Sequence, residues 1–404
     1  MMKQRDRGTA LRALASSALA LPGLASSSWA NAPAERPEAH ARYSRYVEDD
    51  LPGHRIAGGN TSERYTIDTL QFHYGTPWGK RSDLDFNLVF ETMSGASPIT
   101  VQPGPQGNQV VMSGATIEEE RIDISAGSNY YFDSGRGGAR FGVSTENDYL
   151  AINLGFDGER NVNDDMTTLL GGVGMSFDSI DPTGGGAIAF PNRPDSEKKQ
   201  SYQVFGGIAQ ILSRTAALQA TASYRYSTGY LSDPYKEAVV LGTRRPDTRP
   251  ELRHQLAFLV RARKHYEQVN GTLHADVQYA FDDWGINAVT VEAAWHQTLF
   301  EVLKLVPQFR YFSQSQADFY DTSFGGAAAP QFFSSDYRLS PYGALSYGIK
   351  AETRFRGWFK TDWDVAFAYD RYVTDADLAL GGVETENPGL VAYHLISVRL
   401  IGRF

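Results

Sequence analysis

Apolar and polar residues alternate over many separate stretches of this chain. In the run 83–93, leucine and phenylalanine hold one phase, while aspartate, asparagine and glutamate hold the other. The run 358–372 repeats the pattern, with tryptophan, valine, phenylalanine and tyrosine alternating with aspartates. A period of two places successive side chains on opposite faces of a β-strand. The chain is therefore predicted to consist largely of strands with one apolar and one polar face.

Sixteen segments show this alternation, and most are long enough for a strand that crosses a bilayer at a tilt. The first segment, 40–49, is the weakest, because it is brief and strongly charged. The other segments are 63–74, 83–93, 118–132, 138–147, 149–158, 166–178, 198–213, 217–229, 252–264, 270–281, 287–299, 304–318, 339–353, 358–372 and 390–404.

The connections between these segments alternate between short and long. Short turns fall at 213–216, 301–303 and 357–358, and two further connections, 147–148 and 282–286, are tight hairpins on the other side. Such alternation is typical of transmembrane barrels, which have short periplasmic turns and longer external loops. The predicted fold is an all-β, antiparallel, up-and-down transmembrane barrel of about sixteen strands. A soluble two-layer sandwich would also alternate, but it would not explain the pattern of connections. The long connections are 94–117, 179–197, 230–251, 319–338 and 373–389.

The two ends of the chain carry signals of export. Residues 1–30 combine a basic start, an apolar centre and a small-residue site ending at Ala30, which predicts a cleaved secretory signal peptide. We expect a short segment at 31–39 and the barrel at 40–404. The last strand ends on Phe404, a terminal aromatic that resembles the signal recognised by the outer-membrane assembly machinery of bacteria. The expected location is the outer membrane of a Gram-negative bacterium.

Composition narrows the possible functions. The chain has 38 lysines and arginines against 47 aspartates and glutamates, a formal net charge of −9. Loss of residues 1–30 removes four basic residues and one aspartate and takes this charge to −12, which argues against nucleic-acid binding. The absence of cysteine excludes thiolate metal sites and thiol catalysis. The 22 tyrosines and 22 phenylalanines suit aromatic girdles at two membrane interfaces.

Polar side chains concentrate on three consecutive predicted strands. If Phe258 and Val260 face lipid, the opposite phase of these strands faces the lumen. Such a mixed-charge wall can select permeating solutes, as charged rings do in channels. The same charges can also pair across neighbouring strands and stiffen the wall, and the two interpretations are compatible. The candidate lumen-facing residues are Arg253, Arg261, Arg263, His274, Asp276, Glu292 and His296.

The sequence offers little support for catalysis. The two histidines and two carboxylates on the strands 270–281 and 287–299 are ligand types for zinc or iron, but they would need a suitable cross-strand register. The glycine-rich stretch 181–186 lacks the Lys-Ser/Thr of a phosphate-binding loop, and no Gly-x-Ser-x-Gly elbow is present. We therefore expect no metal, no cofactor, no catalytic residues and no enzymatic activity.

Six short motifs occur in order along the chain, namely Ser94–Pro98, Glu146–Tyr149, Gly229–Lys236, Arg245–Arg249, Asp282–Ile286 and Ala317–Tyr320. They resemble motifs of the bacterial family catalogued as domain of unknown function 3570. The resemblance runs from about residue 40 to Phe404 and implies an outer-membrane barrel of undetermined function. It also implies an extracytosolic redox context, because members are often encoded near periplasmic flavin-transfer and thioredoxin-like proteins. The loop 179–197 and the fragment Phe324–Phe333 carry no such motif.

Two functions from different classes follow. The first is a pore or export channel for an unidentified solute, with the charged wall setting its preference. The alternative is a scaffold barrel that docks or sheathes a periplasmic redox partner, because a sixteen-strand cylinder has a lumen wider than its own side chains can fill. Entry of the loops 179–197, 230–251 and 319–338 into this lumen would indicate gating. The expected partners are the lipid bilayer, the assembly machinery and a periplasmic redox protein.

Overall fold

The computed structural model describes residues 32–404 except 34, 59–60, 106, 114–116, 183–192 and 358–360. Sixteen antiparallel strands form a closed barrel, and two short hairpins lie in its loops. The barrel strands are β1 (Glu38–Glu48), β2 (Thr66–Pro77), β3 (Ser82–Gly95), β6 (Ile117–Phe132), β7 (Gly135–Thr145), β8 (Tyr149–Val162), β9 (Thr167–Ile180), β10 (Glu197–Ser213), β11 (Ala216–Gly229), β14 (Leu252–Tyr266), β15 (Gly271–Asp282), β16 (Asn287–Leu299), β17 (Leu303–Gln314), β18 (Tyr342–Arg356), β19 (Asp362–Asp375) and β20 (Tyr393–Arg403). The hairpins are β4 (Pro98–Gly104) with β5 (Gly107–Met112), and β12 (Glu237–Val240) with β13 (Thr243–Pro246).

The predicted fold class and strand number are confirmed. The weak first segment is a true strand, because β1 pairs with β2 on one side and with β20 on the other and so closes the cylinder. Strand ends differ from the predicted ones by a few residues, most clearly before β18, where Tyr337–Leu339 forms a 3-10 turn instead. The signal-peptide prediction falls on residues outside the described part of the chain and stays a prediction.

The barrel has two unlike ends. At one end, neighbouring strands are joined by connections of two to five residues, such as 133–134 and 214–215. Asn163, Asp164 and Asn270 adopt positive φ in these turns, as short asparagine and aspartate side chains permit. At the other end most connections are long and carry both hairpins, while 146–148 and 283–286 are tight, as predicted. We call these the short-turn end and the long-loop end.

The outer face of the barrel is apolar and bounded by aromatic rows. Outward side chains such as Phe86, Phe258 and Val277 are 47%, 48% and 49% exposed, which indicates a surface meant for lipid. Near the long-loop end, the Tyr202 and Tyr226 rings stack at 6.3 Å. Near the short-turn end, the Tyr266 and Trp295 rings lie 5.7 Å apart. Two aromatic rows with an apolar band between them mark the two membrane interfaces. Among the described residues, no helix is both long and apolar enough to cross a bilayer.

Candidate functional site

The lumen wall formed by β14 and β15 is built from paired charges. The register places Arg261 directly opposite Asp276, on the phase opposite that of the outward Val260. The Arg261 Nε lies 3.4 Å from the Asp276 carboxylate, and the Arg263 guanidinium donates to the same carboxylate. One carboxylate thus serves two arginines. These three predicted residues do come together, and their pairing across the sheet supports the wall.

The charged wall continues beyond β14, β15 and β16, the three strands on which the sequence predicted it. Glu292 lies opposite Arg310 of β17, and the Arg310 Nε contacts its carboxylate at 3.1 Å. Further round, Glu352 of β18 has three cations within 3.6 Å. These are Lys304, Lys350 and Arg399. The sequence analysis did not single out these residues, although all of them hold the inward phase of their strands. On this side of the lumen cations outnumber the carboxylates that they contact.

The opposite wall, formed by β3, β6, β7 and β8, has the reverse balance. Arg121 contacts Glu91 at 2.8 Å, Asp123 at 3.4 Å and Glu146 at 3.9 Å. Arg136 contacts two acids at 2.8 Å each. These are Asp157 and Glu159. Here single cations are shared by several carboxylates. Because these strands lie roughly half a turn around the barrel from β14 to β18, the lumen has an acidic side and a basic side.

His274 and His296 face each other on the basic side. They lie on β15 and β16, offset by two residues in the register and so on the same face, and their ring centroids are 3.9 Å apart. They do not form a metal site with Asp276 and Glu292, because arginines already occupy both carboxylates. The groups with ligand-like spacing in the described part of the chain lie elsewhere. The arrangement is that of a polar wall lining.

Arg253 belongs to a different part of the lumen from the other candidates. It lies near the long-loop end of β14, where its Nε donates to Asp282 at 2.8 Å. Its guanidinium stacks over the Trp284 ring, 4.3 Å from the centroid. Trp284 is only 4% exposed, because it packs beneath the long loops. Arg253 therefore braces the mouth of the barrel and is separate from the mid-wall charges.

The long loops pack on one another over the mouth. We call the segments 49–58, 96–113, 230–251, 315–341 and 384–391 the cap, within the described residues. Ser335 is its centre, because its hydroxyl accepts from the Val101 amide at 3.3 Å and donates to the Glu237 carbonyl at 2.9 Å. Asn387 donates to the Ser335 carbonyl at 3.1 Å. Four segments of the cap are thus joined around one buried serine.

The order of strands shows that these contacts span the mouth. The segment 96–113 leaves the wall after the third strand of the ring, 230–251 after the ninth, and 315–341 after the thirteenth. Loops from such well-separated points can touch only over the opening. Val110, Met112, Ala238 and Val240 are at or near zero exposure, so the cap has its own apolar core. The loops 230–251 and 319–338 therefore turn inward over the mouth. Most of the loop 179–197 lies outside the described residues.

Lys236 is buried where two cap segments meet. Its ammonium donates to the Ser97 hydroxyl at 3.0 Å and to the Pro98 carbonyl, and it lies 5.8 Å from the centre of the Tyr337 ring. Burial lowers the pKa of Lys236 to about 8, against an ordinary value of 10.5. A buried lysine with a lowered pKa is a titratable tie between the segments 96–113 and 230–251.

Asp336 gathers the charges around this lysine. Arg249 donates to it at 2.8 Å and Arg338 Nε also at 2.8 Å, while Arg338 reaches Asp233 at 2.5 Å. Burial works to raise the pKa of Asp336, but Arg338, Arg249 and Lys236 outweigh it and hold that pKa well below its usual range. The carboxylate stays charged and fixes both arginines. This network locks 230–251 to 315–341.

The six motifs from the sequence lie at this end of the barrel. Ser97 and Pro98 meet Lys236, the Tyr235 hydroxyl donates to Asp148, and Tyr320 accepts from Asn387 at 2.9 Å. Turn formation alone would be local, whereas these contacts join motifs far apart in sequence. Asn387, Ser335 and Arg338 complete the network but fall outside the motifs, and no sequence signal marked them.

Phe404 lies at the outer edge of the short-turn end. Its ring meets Trp363 edge-on with centroids 6.4 Å apart, so it adds to the aromatic row at that interface. Its role as an assembly signal stays a prediction. The whole arrangement, a lipid-facing belt around a polar lumen, is that of an outer-membrane β-barrel.

Solved structures similar to this chain share little sequence with it. A bacterial polysaccharide outer membrane secretin is 9% identical with a TM-score of 0.45, over 91% of this chain and 98% of the other. The translocator domain of autotransporter NalP from Neisseria meningitidis is 11% identical with a TM-score of 0.38, over 98% and 96% of the two chains. Pseudomonas aeruginosa OccK5 (OpdH) is 8% identical with a TM-score of 0.41, over 91% and 98%. Likeness of this degree carries no argument about function.

Sequence comparisons divide sharply. No curated protein matches the chain. A family model described as Protein of unknown function (DUF3570) matches residues 11–387, nearly the whole sequence. The chain therefore belongs to this family, and the resemblance inferred from the six motifs is confirmed.

Proposed function

We propose that this protein is a gated, non-enzymatic channel of the bacterial outer membrane that passes a small charged solute, with its short-turn end in the periplasm. The observation that carries the proposal is the division of the lumen into an acidic and a basic side. Wall charges that serve only to stiffen a sheet would be balanced strand by strand. Opposed walls instead produce a transverse field, which orients and selects charged solutes in a narrow passage.

The cap supplies the gate in this proposal. Its loops close the mouth through hydrogen bonds and ion pairs between segments. No disulfide joins these segments, because the sequence has no cysteine. Opening requires the segments 96–113 and 315–341 to separate at Ser335. The channel at rest is therefore closed, and conductance depends on release of the cap.

A reversible lock on the cap tests this function. The sequence has no cysteine, and the Thr100 and Ser335 hydroxyl oxygens lie 3.4 Å apart across the two segments. The Thr100→Cys, Ser335→Cys variant can therefore form a single disulfide over the mouth. In planar bilayers we expect the oxidised variant to be silent and the reduced variant to conduct. Wild-type protein with and without reductant is the control. Silence of the reduced variant at all voltages would refute the channel.

The second candidate is a scaffold that receives a periplasmic redox protein. The same cap favours this function, because it leaves the lumen accessible only from the short-turn end, like a cup. A cup has room for an inserted partner and needs no flow of solute. Co-purification of a flavin- or haem-bearing protein, together with absence of conductance from the reduced variant, would favour this function over the channel.

A further inference from the structure

Three side chains with ligand chemistry converge on the lumen face at the short-turn end. Glu38 and His40 lie two residues apart on β1, and His73 of β2 is paired directly with His40. One ligand atom from each lies within 4.8 Å of the other two. The two imidazole centroids are 4.8 Å apart with the rings tilted by 53°, so the rings are not stacked face to face. Two imidazoles and a carboxylate are a common ligand set for divalent transition metals.

One distance in this cluster matches the needs of a metal ion. The His40 Nε2 lies 3.3 Å from the Glu38 Oε1. Two ligands of one tetrahedral zinc ion, each bonded at about 2.0–2.1 Å, are about 3.3–3.4 Å apart. The same Nε2 is shielded from solvent, and among the described residues the Glu38 carboxylate is its ion-pair partner. A shielded nitrogen facing a carboxylate at this distance is placed as a ligand would be.

A neighbouring amide fixes the tautomer of the second imidazole. The His73 Nδ1 lies 2.8 Å from the Asn87 Oδ1, and the Asn87 Nδ2 donates to Asp85 at 3.3 Å. Because the amide nitrogen is turned to Asp85, the amide oxygen must accept from His73. The proton therefore sits on Nδ1, and Nε2 keeps its lone pair for a ligand. This is the support that metal-binding histidines ordinarily receive from a neighbouring group.

A glycine leaves space beside the ligand atoms. Gly75 is paired with Glu38 across the sheet, and a Cβ at this position would lie 3.3 Å from the His73 Nε2 and 3.7 Å from the Glu38 Cγ. The space between the imidazole and the carboxylate is thus kept free. Arg403 contacts the other Glu38 oxygen at 3.4 Å and also has Asp364 at 2.6 Å, so it leaves Oε1 available.

We propose that Glu38, His40 and His73 form a binding site for a divalent first-row transition metal ion of the zinc or iron(II) class. The site lines the lumen at its short-turn opening and leaves at least one coordination position for water or another ligand. It is independent of the channel proposal, because no step of gating passes through it. Binding and conductance can therefore succeed or fail separately.

Metal titration of the untagged, chelator-treated barrel in detergent tests the site, with Zn²⁺ as the probe in calorimetry and Co²⁺ in absorption spectroscopy. We expect one ion per chain and a Co²⁺ spectrum of low coordination number. The His40→Ala, His73→Ala variant should lose this ion, while His265→Ala, which removes a lumen histidine elsewhere, should keep it. Heat-modifiable migration in gel electrophoresis confirms that each variant is folded.

Two milder variants distinguish a specific metal site from three ligand side chains that lie close together by chance. Asn87→Ala retains all three ligands but frees the tautomer of His73, and we expect its affinity for Zn²⁺ to fall about 10- to 100-fold. Gly75→Val retains the ligands and the amide but fills the space between them, so it should bind no ion. Equal binding by the wild type and the double histidine variant, or no stoichiometric binding by the folded wild type, would overturn the site.

Discussion

Lys236 donates from its buried ammonium to the Ser97 hydroxyl at 3.0 Å, across two loops that leave the barrel wall far apart. The folded pKa of this lysine is about 8, whereas the exposed group has a value of 10.5. Between these two values, an opened cap binds a proton that the closed cap lacks. Raising the pH removes this advantage of the open state, so the closed cap gains stability from pH 8 upward.

Hydrogen exchange of the amides in 230–251, corrected for intrinsic rates, measures this gain. We expect the free energy of cap opening to rise in wild type relative to Lys236→Met by up to about 1.4 kcal/mol for each pH unit between pH 8 and 10.5. Below pH 8 the difference should be constant. The variant serves as the reference, because it shares every other titrating group. Parallel curves for the two proteins across this window would show that Lys236 does not titrate there.

Ser335→Ala should weaken the cap without changing the wall. The variant leaves the Val101 amide and the Glu237 carbonyl without their shared partner in a buried setting. Each such unpaired group costs about 1–3 kcal/mol. We expect faster proteolysis of the loops and a higher open probability in bilayers. Ser323→Ala, at a half-buried position of the same loop, is the matched control and should behave as wild type.

The Glu48–Arg64 pair should show the cost of an isolated buried charge. Its atoms are 2.6 Å apart, and its side chains are only 3% and 1% exposed. Removal of one partner, as in Arg64→Met, is expected to cost about 3–5 kcal/mol in urea unfolding. The Glu48→Gln, Arg64→Met double variant should recover part of this loss.

The exposed Arg81–Asp133 pair provides the comparison for that experiment. Its side chains are 55% and 88% exposed at 2.8 Å separation. We expect Arg81→Met to cost less than about 1 kcal/mol, because water screens the pair. Similar losses from Arg64→Met and Arg81→Met would contradict the importance of burial.

The two sides of the lumen should affect ion selectivity in opposite directions. In the reduced Thr100→Cys, Ser335→Cys background, neutralising Lys304 and Lys350 to glutamine is expected to shift the reversal potential in a salt gradient toward cations. Neutralising Glu91 and Asp123 should shift it toward anions, because those acids lie on the opposite wall. Shifts of the same sign from both sets would exclude a transverse arrangement of charge along the conducting path.

The wall could be predicted from the sequence because a period of two fixes the face of every residue once one face is known. Arg261 and Asp276 were placed on one face in this way, and their pairing follows from the hairpin register. The cap could not be predicted, because Ser97, Lys236 and Ser335 are joined by contacts between loops that have no periodicity. Lys304, Lys350 and Arg399 were missed although they follow the same period, since the densest run of charge lay earlier.

The candidate metal ligands escaped notice for a different reason. The first segment has the weakest alternation of apolar and polar residues, so the pattern does not assign its residues clearly to one face. Glu38 also lies before the predicted start of this segment. His40 and His73 are 33 positions apart, and only the pairing of β1 with β2 brings them face to face. A ligand set divided between strands leaves no spacing motif in the chain.

Four cap segments hold one another through hydrogen bonds around Ser335. A closure of this kind has no stable half-open position, because withdrawal of one segment removes the support of the others. Single-channel recordings should therefore show abrupt transitions between two levels. A gradual rise in conductance, as expected from one flexible loop, would require each cap segment to be stable without the others.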